Sequence, residues 1–181
     1  MGNYIIRRIL NNNAFVSTNA NGQEIVVMGK GIAFQKKAGD RVPHARAEQV
    51  FQLSQENTSR FQELVARIPM NYAVLSEKII QMASERLGKP LDENIYITIT
   101  DHIYSAVQRY QNGLVIRNTM RWEIQRYYPD EYAVGLQAAQ MIREALSVPF
   151  AEDEAAFMAL HFVNAQTGIE IGQMYEVTEL I

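Results

Sequence analysis

The spacing of apolar residues changes once along this chain, near residue 59. Before that point, short runs rich in Ile and Val alternate with turn-forming residues, which is typical of β-strands. After it, apolar residues recur at intervals of three and four, which is typical of amphipathic helices. We therefore predict an α+β fold, in which a small antiparallel β-sheet is followed by a five-helix α-bundle.

Four strands are predicted in the first part, at Tyr4–Leu10, Ala14–Thr18, Glu24–Met28 and Gln49–Leu53. The Asn21-Gly22 pair between the second and third strands is a strong hairpin signal, because both residues tolerate a positive φ. A sheet of about 50 residues lies near the lower size limit for stability on its own. We therefore expect this sheet to need a partner surface.

Five helices are predicted in the second part. The first begins near residue 59, carries Phe61, Leu64, Val65 and Ile68 on one face, and ends at Pro69. The other four cover residues 72–87, 92–111, 129–146 and 152–166. Gly88 and Asn112-Gly113 mark the ends of the second and third helices. The links between them are short, which favours a bundle.

The two parts of the chain also differ in charge. Residues 1–53 carry seven Lys or Arg and three acidic residues, a net charge of +4, whereas residues 54–181 carry ten and seventeen, a net charge of −7. The total of −3 conceals this difference. A basic head on an acidic body indicates a module that binds a polyanion, joined to a module with another role.

Composition excludes several classes of protein. The chain has no cysteine, which rules out disulfides, thiolate metal sites and cysteine nucleophiles. It has no run of about 18 apolar residues, so we expect no membrane insertion. We expect the protein to be cytoplasmic, and nothing in the sequence predicts a cofactor.

A glycine-containing segment, residues 29–34, has features of a nucleotide-binding loop but lacks its third glycine, which is replaced by Phe34. Two interpretations of Phe34 remain open. It is either an exposed ring that stacks on an unpaired base near Lys30, Lys36 and Lys37, or a core residue beside solvated lysines. Residues 11–13, three asparagines, either read base edges or form a turn.

The chain has three histidines, and two of them lie on apolar faces of predicted helices. His102 shares its face with Ile95, Ile99 and Ala106, and His161 lies close to Phe157 and Leu160. They are either two core histidines or members of one shared site. A metal site is disfavoured because no His-x-x-x-His pattern is present. A catalytic pair is disfavoured because Asp101 is adjacent to His102 and points elsewhere. We predict no catalytic residue and no metal ligand.

Four segments, two in each part of the chain, carry a family resemblance. Residues 9–13 and 26–39, with Asn11, Asn13, Gly29, Lys30 and Phe34, closely resemble the RNA-binding head of BglG/SacY-type bacterial transcriptional antiterminators. Residues 97–102, which end at His102, and residues 153–161, which end at His161, resemble the two histidine motifs of a PTS regulation domain. This domain responds to the sugar phosphotransferase system. The resemblance covers residues 3 to about 166.

The resemblance implies a function. The head is expected to form a homodimer that binds a hairpin in a leader mRNA, which prevents a terminator hairpin from forming and activates carbohydrate utilisation genes. His102 and His161 are implied as phosphorylation sites for sugar phosphotransferase proteins, namely HPr and a sugar-specific enzyme II. The implied RNA-contact residues are Arg8, Asn11, Asn13, Gly29, Lys30, Phe34 and Gln35.

The resemblance also implies a domain organisation. Residues 1–55 are expected to form the RNA-binding domain and residues 60–170 the first of two regulation domains. Residues 171–181 would form a linker or the start of the second regulation domain. We therefore expect the chain to be a fragment of a longer protein.

Two other classes of function remain as alternatives. One is a PTS-regulated DNA-binding regulator, which the absence of a helix-turn-helix pattern in the head disfavours. The other is an enzyme that transfers phosphoryl groups through the histidines. The absence of a nucleotide-binding loop and of a general base partner disfavours this second class.

Overall fold

The computed structural model describes residues 2–167 and divides the chain into two compact units, Met1–Val74 and Leu75–Ile181. The first unit holds six strands, β1 (Asn3–Ile5), β2 (Arg8–Asn11), β3 (Ala14–Thr18), β4 (Glu24–Met28), β5 (Arg41–Pro43) and β6 (Gln49–Phe51). It also contains helix α1 (Gln55–Arg67). We call this first unit the head.

All strand pairs in the head are antiparallel. Four strands form a sheet in the order β2-β3-β4-β6, while β1 and β5 form a separate ribbon. The predicted strand Tyr4–Leu10 is divided because the chain changes partners in the middle. The Ile6 amide donates to the Asp40 carbonyl and the Arg7 amide donates to the Val16 carbonyl. Strands β3 and β4 have the predicted bounds, and of the two predicted turn residues only Gly22 takes a positive φ, of 79°.

One face of the sheet packs against the ribbon and the glycine loop. Because side chains alternate along a strand, Phe15, Ile25 and Val27 lie on the same side. They form a buried cluster with Ile6, Ile32, Ala33 and Val42. This cluster is the core that fixes the position of the loop after β4.

Helix α1 covers the opposite face. The register places Arg8 opposite Val16, Val16 opposite Val26, and Val26 opposite Phe51, so these four side chains form one row across the sheet. The Phe51 ring lies 4.9 Å from the ring of Phe61 on α1. We call the side of the sheet that carries this row the α1 face.

The α1 helix supplies the partner surface that the small sheet was expected to need. Phe61, Leu64 and Val65 are all buried, as are Val16 and Val26 in the sheet. The small size of the sheet is therefore no longer an argument for a second copy of the head. Homodimer formation stays a prediction that rests on the family resemblance.

The second unit is helical. Helix α2 (Met70–Leu87) enters it from the first unit and is followed by α3 (Ile95–Gln111), α4 (Arg121–Tyr127), α5 (Pro129–Leu146) and α6 (Glu152–Thr167). Gly88 and Gly113 end α2 and α3 with positive φ, as the sequence predicts. The largest fully buried side chains of this unit are Ile79, Ile99, Ile103, Ile124, Ile142, Met158 and Phe162.

The predicted α+β fold is confirmed, with differences in detail. Among residues 2–167 the structure has six α-helices, and the short α4 was not predicted because seven residues give too little periodicity. Helix α1 belongs to the same compact unit as the sheet, while the predicted domain boundaries at 55 and 60 stay predictions. The predicted linker, residues 171–181, lies outside the described residues. None of the helices within 2–167 is both long and apolar enough to span a bilayer.

Helices α5 and α6 approach each other closely at Gly135. A Cβ atom at this position would lie 2.2 Å from the Ala155 carbonyl oxygen.

In an exposed helix, Gly→Ala is stabilising by roughly 1 kcal/mol. Here we expect Gly135→Ala to lower the free energy of unfolding by about 1–3 kcal/mol, because the backbone of α6 must move. Urea denaturation measures this. The exposed neighbour provides the control: Leu136→Ala should change stability by less than about 1 kcal/mol.

Candidate nucleic-acid interface and histidine pair

The loop after β4, residues 29–37, is a series of tight turns that presents a ring to solvent. Gly31 has a φ of 66° and Gln35 a φ of 56°, both in the left-handed region. Between them, Ile32 and Ala33 are buried in the core of the head. The Phe34 side chain is 56% exposed. The structure therefore contradicts the interpretation of Phe34 as a core residue.

Cationic side chains flank this ring. Lys30, Lys36 and Lys37 are all exposed, as is Gln35. The Lys30 amide donates to Glu48 Oε1 at 3.4 Å. One acidic side chain, just before β6, therefore lies beside the loop. An exposed ring among cations is the arrangement that binds unpaired bases and phosphates.

The asparagine turn between β2 and β3 holds the loop in place. The Gly31 amide donates to Asn13 Oδ1 at 2.7 Å, and the Ala33 amide donates to the Asn12 carbonyl at 3.0 Å. The Asn13 side chain therefore shapes the loop. The asparagine run acts as a turn, and it brings Asn13 next to the predicted contact residues of the loop.

Gly29 is required by a close approach of two segments. A Cβ atom here would lie 2.8 Å from the Arg46 carbonyl oxygen, a backbone atom. The Gly29 amide also donates to the Asn13 carbonyl at 3.0 Å. The residue is buried, so its contribution to this surface is to set the backbone path.

The two remaining predicted contact residues face α1. Arg8 Nη2 donates to Gln62 Oε1, and Asn11 Nδ2 donates to the Val65 carbonyl at 2.9 Å. The structure therefore brings together Asn13, Gly29, Lys30, Phe34 and Gln35, and it engages Arg8 and Asn11 with the helix. The sequence did not indicate Gln62, which is a polar residue 4% exposed beside the apolar face of α1.

In the second unit, the two histidines of the resemblance form one cluster. The rings of His102 on α3 and His161 on α6 have centroids 5.0 Å apart. His102 Nε2 lies 3.0 Å from Glu154 Oε2, and the Phe157 ring lies 5.8 Å from the His102 ring. The two histidines therefore lie side by side, while their role as phosphorylation sites stays a prediction. The third histidine, His44, stacks on Tyr4 in the head.

Sequence reasoning missed Glu154, although a signal for it was present. Glu154, Phe157 and His161 are separated by three and four residues, which places them on one face of α6. The Glu154 carboxylate holds the His102 ring in place through the hydrogen bond to Nε2. Nδ1 is then the ring nitrogen that Glu154 does not engage and that can react.

His161 is held in its neutral form. Burial, with a smaller contribution from the neighbouring His102, lowers the pKa of His161 to about 3. Its Nδ1 atom is buried and has no hydrogen-bond partner among the described residues. The ring is therefore an uncharged imidazole at pH 7, the form with a lone pair available for reaction.

A cavity of about 160 Å³ lies beside His161. It is lined by Asp92, Asn94, Ile95, Thr98, His161, Asn164 and Ala165. A cluster of three or more His, Asp or Glu residues with metal-binding geometry does not occur among residues 2–167. The site offers two imidazoles, one carboxylate and a small polar cavity, which suits covalent modification of a ring nitrogen.

Comparison with known proteins follows the division into two modules. The profile of the CAT RNA binding domain matches residues 4–60, and that of the PRD domain matches residues 77–165. The crystal structure of GlcT CAT-PRDI superposes with a TM-score of 0.75, at 31% identity, over 92% of this chain and 99% of that one.

Relatives found by sequence similarity indicate the same family. The transcription antiterminator LicT of Bacillus subtilis is 44% identical over 97% of this chain and 64% of its own length. The beta-glucoside operon antiterminator of Dickeya chrysanthemi is 40% identical over 97% of this chain and 62% of its own length. The chain thus spans less than two thirds of the length of these relatives. Their names describe regulators, which confirms the prediction that the chain is not an enzyme. The chain belongs to the BglG/SacY-type family of bacterial transcriptional antiterminators.

Proposed function

We propose that this protein is a cytoplasmic transcriptional antiterminator. The head binds a hairpin in a leader mRNA as a homodimer, and bound protein prevents the overlapping terminator hairpin from forming. The observation that carries the proposal is the exposed Phe34 among the cations of the loop 29–37, on a part of the chain with a net charge of +4. The names of the relatives and the matched RNA binding domain support it.

The chemistry of the loop favours unpaired bases. An exposed ring stacks on a base only where the base is not already stacked in a duplex, as in an internal loop. Lys30, Lys36 and Lys37 supply the electrostatic attraction to phosphates, which is independent of sequence. The exposed Gln35 amide is positioned to hydrogen-bond a base edge, and Asn13 can add only its Nδ2 donor because its Oδ1 accepts the Gly31 amide.

The histidine cluster is the proposed control site. HPr and a sugar-specific enzyme II of the phosphotransferase system are the proposed phosphoryl donors for His102 and His161. A phosphoryl group adds about two negative charges at pH 7. At His102 these charges would lie next to the Glu154 carboxylate, which now bonds to the same ring. Repulsion would break this contact between α3 and α6 and change how the two helices pack.

RNA binding tests the first part of the proposal. We expect the chain to bind an RNA hairpin with an internal loop more tightly than a fully paired RNA hairpin of the same length. We expect a duplex DNA of the same sequence to bind more weakly than the internal-loop hairpin as well, because the binding loop requires unpaired bases. Fluorescence anisotropy at one salt concentration measures all three. Equal affinities for the three probes would contradict specific antitermination.

Substitution of the exposed ring tests the binding surface. Phe34→Ala should weaken binding to the internal-loop hairpin by roughly 1–3 kcal/mol, the contribution of one base–aromatic stack. The fold should be retained because the ring is 56% exposed. Val50→Ala removes another exposed apolar side chain from the head and should leave affinity unchanged. A circular dichroism melt checks folding in both variants, and unchanged affinity of Phe34→Ala would refute the assigned role.

Phosphoryl transfer tests the control site. Incubation of the chain with phosphorylated HPr should produce acid-labile phosphate on histidine. We expect His102→Ala and His161→Ala each to reduce the labelling and the double variant to abolish it. His44→Ala, which changes the histidine of the head, is the matched control and should be labelled like the parent. Mass spectrometry at neutral pH measures the modification, and full labelling of the double variant would exclude this site.

A further inference from the structure

Helix α1 occupies the edge of the proposed RNA-binding surface. Two of the residues implied as RNA contacts, Arg8 and Asn11, lie on β2 and form hydrogen bonds to α1. Both contacts join residues 54 positions apart, so they exist only while α1 is docked on the sheet. The other implied contact residues lie on the loop, or for Asn13 in the turn between β2 and β3, and neither of these two bonds involves them.

The bonds of Asn11 conflict with base recognition. An asparagine contacts a base edge through whichever of its amide oxygen and amide nitrogen is not already hydrogen-bonded within the protein. In this structure Asn11 Oδ1 accepts the Asn13 amide at 2.7 Å, while Nδ2 donates to the Val65 carbonyl at 2.9 Å. One half of the amide shapes the turn and the other half faces the helix. A base cannot take the place of the Val65 carbonyl while α1 remains docked.

Gln62 connects the helix to strands β2 and β4 of the sheet. Its Oε1 accepts from Arg8, and its Nε2 donates to Glu24 Oε2 at 3.0 Å. The Gln62 amide is buried, and breaking its hydrogen bonds without replacing them would cost free energy. The docked position of α1 is therefore well defined. Arg8 and Glu24 each have a hydrogen bond to Gln62, so departure of the helix frees these two groups to bond to a ligand.

We infer that α1 docking and RNA binding exclude each other, so that α1 must leave the α1 face before Arg8 and Asn11 engage RNA. The inference rests on the proposed function. The apparent affinity for RNA then equals the intrinsic affinity multiplied by the fraction of molecules with α1 released. Any event that shifts this fraction controls RNA binding without touching the RNA-contact residues.

Release of α1 exposes apolar surface that needs a new cover. Val16, Val26 and Phe51 are 1%, 2% and 7% exposed with the helix in place. A second head presents the same row of residues, and two copies of one apolar face related by a two-fold axis are self-complementary. The proposed homodimer therefore supplies the cover, which couples RNA binding to dimer formation.

A cross-link tests the inference in the whole chain. The chain has no cysteine, so the double variant Glu24→Cys/Gln62→Cys carries only the two thiols on either side of the α1 contact. A short bismaleimide then holds α1 on the sheet. We expect the linked protein to bind the internal-loop RNA hairpin about tenfold or more weakly than the same variant before linking.

The matched control is the double variant Gln23→Cys/Gln52→Cys. These two exposed side chains are hydrogen-bonded at 2.6 Å within the head, and neither lies on α1. The same reagent should link them without changing RNA affinity. Equal affinity of the α1-linked protein before and after linking would overturn the inference while leaving the proposed function intact. Absence of hairpin binding by every unlinked protein would overturn both.

Hydrogen exchange of the parent chain gives a second measurement that needs no substitution. Addition of saturating hairpin should speed exchange of amides in residues 55–67 and slow exchange in residues 29–37. Amides of α1 that keep or gain protection when RNA binds would overturn the inference, whatever the linked variants show.

Discussion

The contact between α1 and the sheet is the interaction on which the head depends. A four-stranded sheet this small has two apolar faces, and each must be covered to remain out of water. The ribbon and the glycine loop cover one face, and α1 covers the other. Because the loop is fixed by the first of these packings and β2 by the second, the geometry of the candidate nucleic-acid interface depends on both.

The same contact gives the head two possible uses for one surface. Arg8 and Asn11 are bonded to α1 in this structure, whereas Phe34 and Lys30 are exposed on the loop. The surface is thus partly open and partly occupied. Under the proposed function, a change elsewhere that shifts the fraction of molecules with α1 released would change how much of the surface is available.

The histidine cluster has the corresponding property in the second unit. His102 and Glu154 join α3 to α6 through one hydrogen bond, and His161 lies beside them as a neutral ring whose pKa is lowered by burial. Charge introduced here has no cation among the cluster residues to balance it. The expected response is a change in helix packing, which requires only that α3 and α6 have a second stable arrangement.

The amino-acid sequence by itself determined the α+β class, the strands β3 and β4, and most of the helix ends. Local rules set these features, namely apolar periodicity and the positive φ of Gly22, Gly88 and Gly113. It also indicated the loop 29–37 and the two histidines. Only the tertiary structure decided that Phe34 is exposed, that Glu154 bonds to His102, and that α1 covers β2. These are contacts between residues far apart in the chain, and periodicity describes one element at a time, so it cannot determine which elements meet.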